Sequence, residues 1–167
     1  SLLSVDGDLL AATDIGVYQI KQDKAFLLNS LRVSCLSQSR NNPGVVILGC
    51  RDGLALLQKI DSQWQVAGRV QGVSEDIWSI AEEKPGIFWL GTYKQGVIRV
   101  KLDLSGLSGA QEKLIATVER FGQNHNLPAG EVWVFLIKDR VVFYTGKGLR
   151  RYDEQSRLFI TDSTFWR

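Results

Sequence analysis

The sequence predicts an all-β chain, a β-propeller segment of four blade-like repeats, each made of four short antiparallel strands. Two observations lead there. Four stretches align on a turn glycine: "LLAATDIGVYQI" (9–20), "VVILGCRDGLALL" (45–57), "IFWLGTYKQGVIRV" (87–100) and "VVFYTGKGLRRY" (141–152). Each is an apolar run, a turn and an alternating strand. The glycines, Gly16, Gly53, Gly96 and Gly148, recur at spacings of 37, 43 and 52, which suit multi-strand units rather than isolated hairpins.

The elements run in order within one segment, 1–167. The first blade, about 1–31, opens with "LLSV", turns at Asp6-Gly7-Asp8, and closes with "KAFLLN" after the tight turn "KQDK". The second, 32–71, runs from "RVSCL" through the turn at Asn41 to Gly44 and ends with "WQVAGRV". The third, 72–125, begins "DIWSI", turns at Lys84-Pro85-Gly86 and ends with "LIATVERFG". Helix formers at Ala110 to Lys113 suit one helical turn, but β-branched residues fill the stretch after them, and 103–112 reads as an enlarged surface loop. The fourth, 126–167, holds "EVWVFLI", a turn at Lys138-Asp139-Arg140, and "RLFITD" after "DEQS". Trp78 and Trp133 occupy equivalent places in the last two first strands.

With these repeats in view, the chain resembles the two-component-regulator propeller repeats of bacterial sensor proteins. A blade of that family reads roughly Leu-Pro-x-x-x-Val-x-x-Ile, a turn, Leu-Trp-x-Gly-Thr, a gap, and Gly-Leu-x-Arg-Tyr. Residues 126–159 match most of one unit, and 76–100 match another, including Phe88-Trp89-Leu90-Gly91-Thr92. The first two repeats keep the apolar run and the glycine but lose the Trp, and the second also loses the Thr. Trp89 suits the wedge between blades, where a large flat side chain buries much area. Thr92 and Thr145 suit strand ends, where a hydroxyl satisfies a nearby backbone group. The turn glycines suit positive φ. Rings of this family usually have more than four blades, so the resemblance implies a partial arc of a larger propeller, with a closed four-bladed ring as the alternative. An arc leaves two blade faces open, for self-association or for the remainder of the propeller.

Composition bounds the function. Among 167 residues, 20 basic and 18 acidic side chains leave a net charge of +2, too little and too dispersed for a nucleic-acid face. No apolar run approaches the roughly 18 residues of a membrane span. The opening "SLLSVDGDLL" has no basic n-region, so it reads as a strand met midway through a longer protein rather than as a signal peptide. Cys35 and Cys50 are too few for a disulfide scaffold. If Gln38 faces Val45 across the turn, Cys35 faces Leu48, and Cys50 is a diagonal neighbour about 7 Å away, long for a disulfide. Both are read as buried free thiols.

No motif carries catalytic chemistry. "GTYKQG" has two glycines but leads into a strand, not the helix that a phosphate loop needs, and "YTGKGL" places Lys147 in a hairpin. His125 alone builds no metal site and reads as a solvated loop residue. Glu82-Glu83 and Glu75-Asp76 read as solvated carboxylates flanking strands. No metal and no cofactor are expected.

Binding is expected where the turns between second and third strands gather with the connections entering each blade. Those turns supply Asp14, Arg51-Asp52, Tyr93-Lys94-Gln95 and Lys147, and the connections supply Glu75-Asp76 and Asn124-His125-Asn126. The candidate ligand contacts are Arg51, Tyr93, Lys94, Gln95 and Lys147. Arg51, Lys94 and Lys147 would ring the mouth with positive charge, which points to an acidic ligand such as an acidic oligosaccharide. Ordinary solvated turn charge is the plainer reading. The resemblance implies a noncatalytic, periplasmic ligand-sensing segment of a membrane-anchored receptor, whose output domain is a histidine kinase or produces a cyclic dinucleotide. The alternatives are a protein-interaction scaffold and, behind it, a propeller lyase or glycan hydrolase.

Overall fold

The computed structural model describes residues 1–107, 109 and 113–164. The repeats are four antiparallel sheets, each with its strands in chain order. Sheet I holds β1 (Leu2–Val5), β2 (Asp8–Thr13), β3 (Gly16–Lys21) and β4 (Lys24–Asn29). Sheet II holds β5 (Val33–Gln38), β6 (Val45–Cys50), β7 (Gly53–Ile60) and β8 (Gln63–Val70). In sheet III, β9 (Ile77–Lys84), β10 (Ile87–Thr92) and β11 (Val97–Leu102) are followed, beyond the short β12 (Lys113–Leu114), by β13 (Ala116–Phe121). Sheet IV holds β14 (Val132–Ile137), β15 (Arg140–Thr145), β16 (Gly148–Asp153) and β17 (Leu158–Thr161).

The sheets stack in sequence order: β2 packs on β5, β5 on β9, and β9 on β14. Strand alternation divides each second strand between two neighbours. Val46, Leu48 and Cys50 of β6 face sheet I, while Val45 and Ile47 face sheet III. Every residue of β6 is buried. In β10, Phe88 and Leu90 join the core shared with sheet II, and Trp89 joins the core shared with sheet IV. Trp89 is 1% exposed and meets Phe121, Phe143, Tyr152 and Phe159 at ring centroids 5.0–6.0 Å apart. The tilted and edge-on geometries are those that aromatic rings prefer. The expectation of a Trp filling the wedge between sheets is met at this residue.

Glycine solves the opposite problem, at the strand ends where sheets converge. A Cβ on Gly91 would collide with the Val132 carbonyl oxygen at the start of β14, and one on Gly49 would lie 2.9 Å from Ile77 Cγ2 at the start of β9. The next residue closes the turn. Thr92 Oγ1 donates to the Gly96 carbonyl at 2.9 Å and accepts from Gln95 N–H at 2.8 Å. Thr13 and Thr145 donate in the same way to Gly16 and Gly148. Gly96 has φ +76, and a side chain there would strike the Phe121 carbonyl.

Four readings need correction. Cys35 faces Gly49 rather than Leu48, because Gln38 pairs with Val46. The one-residue slip, with a bulge at Ser34, places Cys35 against the core of sheets II and III and Cys50 in the core of sheets I and II. The thiols are free, as expected, and lie on opposite faces of the sheet. Second, the fourth strand expected from Leu114 begins only at Ala116: Leu114 belongs to β12, which pairs in parallel with β8 and gives sheet II a fifth strand. The helical turn suggested for Ala110 to Lys113 lies outside the described residues, apart from Lys113, which is in β12.

Third, Glu82 is not solvated. It is 3% exposed, and its carboxylate accepts from Ser39 Oγ, Arg40 N–H at 2.6 Å and Gly86 N–H at 3.1 Å, tying sheet II to sheet III. Glu83 accepts from the indole N–H of Trp89 and from Arg99, both at 2.9 Å, and Glu75 pairs with Arg120 at 2.6 Å. Fourth, His125 is half-buried in a 3-10 turn, its ring edge-on to Phe121 and its Nδ1 accepting Gly122 N–H at 3.2 Å.

This packing has three testable consequences. Gly91→Ala must push β14 away from β10, and we expect a lower urea midpoint with a loss of about 1–3 kcal/mol. A loss of the same size is not expected at Gly106, where a Cβ meets nothing within 4 Å. Burial pushes the Asp8 carboxyl up, but hydrogen bonds from Lys59, Trp64 and Gln19 outweigh it and hold Asp8 below the usual carboxylate range. Its contribution to stability is therefore present above the unfolded value of about 3.9 and lost as pH falls through the lower folded value. The stability gap between the native protein and Asp8→Asn should be widest near neutrality and close in strong acid, as urea titrations at stepped pH would read. Burial also raises Cys35 to about 12 and Cys50 to about 11. An aromatic disulfide reagent at pH 8 should leave the fully buried Cys50 unlabelled until urea unfolds the chain, while Cys35, partly buried at a cavity wall, is the thiol to react first.

Candidate ligand-binding site

Convergence of the sheets leaves a cavity of about 550 Å³ at the end where second strands turn into third strands. All four sheets reach it: Thr13 and Asp14 from sheet I, Ser34 and Arg51 from sheet II, Trp78 from sheet III and Trp133 from sheet IV. Two of these residues are there because their strands bulge. In β5, Val33 pairs with Cys50 and Cys35 with Gly49, so Ser34 is the extra residue. In β9, Ile77 pairs with Thr92 and Ser79 with Gly91, so Trp78 is the extra residue. A bulge releases one side chain from strict alternation and re-aims it, here into the cavity.

Trp78 is the centre of an aromatic group. Its ring stacks on Tyr93, with centroids 5.0 Å apart and planes 18° apart, and stands edge-on to Trp133 at 5.7 Å. Lys94 Nζ lies 4.9 Å from the Tyr93 centroid, a cation–π contact that occupies the outer end of the stack. Tyr93 N–H donates to the Asp76 carbonyl at 3.3 Å, which holds the turn against the strand that carries Trp78. Two buried polar atoms nearby, Trp78 Nε1 and Asp76 Oδ1, have no hydrogen-bond partner.

The residues singled out from sequence fare differently. Arg51 borders the cavity, bound to Asp14 at 2.9 Å. Tyr93 and Lys94 reach it only through Trp78. Gln95 is exposed, and its N–H serves the Thr92 hydroxyl. Lys147 is exposed in the β15–β16 turn, where its N–H is held by Thr145. Of the other charges on these turns and connections, Asp52 pairs with Arg69 at 2.9 Å and Glu75 with Arg120. Sequence reasoning missed Trp78 and Trp133 as cavity residues. The available signal was their equivalence in two repeats, read as strand patterning.

No family model matches the chain, and no curated protein matches it. Solved structures do. The extracellular domain assigned to the hybrid two-component system BT4673 of B. thetaiotaomicron superposes with a TM-score of 0.72 at 14% identity, over 96% of this chain and 21% of that one. The corresponding domain of the hybrid two-component system BT3049 of the same organism gives 0.68 at 17% identity, over 98% of this chain and 23% of that one. At such identities the likeness establishes a shared fold. The chain spans about a fifth of the length of those domains.

Proposed function

We propose that the chain is a noncatalytic, ligand-sensing β-propeller segment from the extracytoplasmic, periplasmic side of a membrane-anchored two-component receptor. The observation that carries this reading is the likeness of nearly the whole chain to extracellular domains of two such systems. The cavity joins it, since a concave site with aromatic walls and a few polar groups is what a small ligand or oligosaccharide needs. The uncovered apolar side chains of sheets I and IV, Leu2 at 71% and Tyr144 at 50% exposure, support an arc of a larger propeller over a closed ring of four. The parent receptor in this reading passes occupancy to a histidine kinase or a cyclic-dinucleotide-producing domain.

A protein-interaction scaffold is the second reading, and the same open faces favour it. The two separate in a reporter strain carrying the intact parent protein. Sensing predicts that a panel of oligosaccharides contains an inducer, and that Trp133→Ala abolishes induction while leaving basal output and protein level unchanged. Induction that survives Trp133→Ala, or output governed by a co-purifying protein alone, would remove the ligand-sensing reading of this cavity.

A further inference from the structure

We infer that the cavity takes an uncharged ring with hydroxylated edges, seated on Trp78 and Trp133, and not an anion held by the cations of the surrounding turns. The inference rests on the sensing reading for its biological meaning, while its chemistry rests on the cavity alone.

Charge is the first argument. Arg51, the one sequence-predicted cation that borders the cavity, is bound to Asp14, which borders the cavity beside it. An incoming carboxylate must compete there with a carboxylate already in place, and the other cation in the wall, the α-ammonium of Ser1, already donates to the Ala12 carbonyl at 3.1 Å. Lys94 is drawn to the far side of Tyr93, and Lys147 is not part of the wall. Arg69 and Arg120 are engaged with Asp52 and Glu75. Of the three cations expected to ring the mouth, Arg51 is ion-paired, Lys94 lies over Tyr93, and Lys147 stands outside the wall.

Aromatic surface is the second argument. Two indoles from different sheets meet at the cavity wall, and one of them is the extra residue of a bulge. Stacking on such surfaces is indifferent to ligand charge and favours a ring with an apolar face. The Ser34 hydroxyl and the Asp14–Arg51 pair supply donors and acceptors together, matching hydroxyl groups, which also do both. Trp78 Nε1 is a buried donor without a partner, an unused hydrogen-bonding group beside the aromatic wall.

The test is calorimetric titration, with tryptophan fluorescence in parallel, of the chain as it stands. The probes are a set of neutral pyranose trisaccharides and the trimer of galacturonate. We expect a neutral member to bind, to change the tryptophan emission, and to keep its affinity between low and high salt. Trp133→Ala should weaken that binding by about tenfold or more, and Trp133→Phe should restore most of it. Should Trp133→Ala fail to fold by circular dichroism, Trp133→Phe and the salt series still decide. The inference is overturned if galacturonate binds more tightly and weakens with salt, which leaves the sensing reading standing. It is equally overturned if no neutral probe binds, or if binding ignores both substitutions; the sensing reading is then judged by the reporter strain alone.

Discussion

The close approach of successive sheets at one end of their strands is the constraint on which the rest of the structure depends. Where the start of β14 meets β10, and the start of β9 meets β6, backbone and side-chain atoms occupy the space that a Cβ would need. Glycine is therefore required at residues 49 and 91 for steric reasons, before any question of turn type arises. Farther along the same strands the sheets diverge, and the gap must be filled. Trp89 and its four aromatic neighbours do this between sheets III and IV, and each such ring pair adds about 0.5–1.5 kcal/mol beyond its buried area. A small residue at the narrow end and a large one at the wide end are two consequences of one wedge.

The cavity is a third consequence. Sheets that converge without meeting at a point leave their first strands around a common space. Two of the residues that line it, Ser34 and Trp78, are freed from regular pairing, while Trp133 lines it from a regularly paired position opposite Tyr144. Ser34 and Trp78 are freed by bulges at the same place in β5 and β9, one residue before the strand reaches the glycine of its neighbour. The bulge and the glycine work together. The glycine admits the neighbouring backbone, and the bulge turns a side chain away from that crowded contact toward the open space. The packing rule that builds the core therefore also equips the cavity.

Much of the fold was legible because it rests on local pattern. Alternation in β6, β10 and β15, the turn glycines and the Thr hydroxyls all act within a few residues, and the structure places them as the repeats suggest. What was not legible depends on partners distant in sequence. The β5–β6 register turned on whether the turn closes at Gln38–Val45 or one residue later, and no local residue decides that. Glu82 looks like half of a solvated acidic pair until Ser39 and Arg40, more than forty residues before it in the chain, bring their donors to it. The β12–β8 pairing joins residues over forty positions apart and uses only two residues of β12. At the site, Arg51 is the one turn residue of the five singled out from sequence that borders the cavity, and the aromatic part of the wall is Trp78 and Trp133, whose meeting is a property of two adjacent sheets.

Charge shows most plainly why turn residues that align in sequence do not add up to a site. In sequence, Asp14 and Arg51 are turn residues of separate repeats; in the structure they are one contact between sheets I and II. The pattern recurs. Lys59 of sheet II holds Asp6 and Asp8 of sheet I, Arg99 of sheet III reaches Glu154 of sheet IV, and Arg157 of sheet IV reaches Glu119 of sheet III. The exposed Arg157–Glu119 pair contributes about 0–1 kcal/mol, whereas the Lys59–Asp8 pair, with side chains 17% and 13% exposed, is sheltered and does more to hold sheets I and II together. These contacts join one sheet to the next. Among the equivalent turns, Asp14 and Arg51 carry opposite signs and neutralise each other at the mouth, while Lys94 and Lys147 keep the sign of Arg51 but stand outside the wall. Where a turn charge is taken up by the neighbouring sheet, as Arg51 is by Asp14, less is left to attract a charged ligand, and the recognition we infer rests instead on the indoles of Trp78 and Trp133.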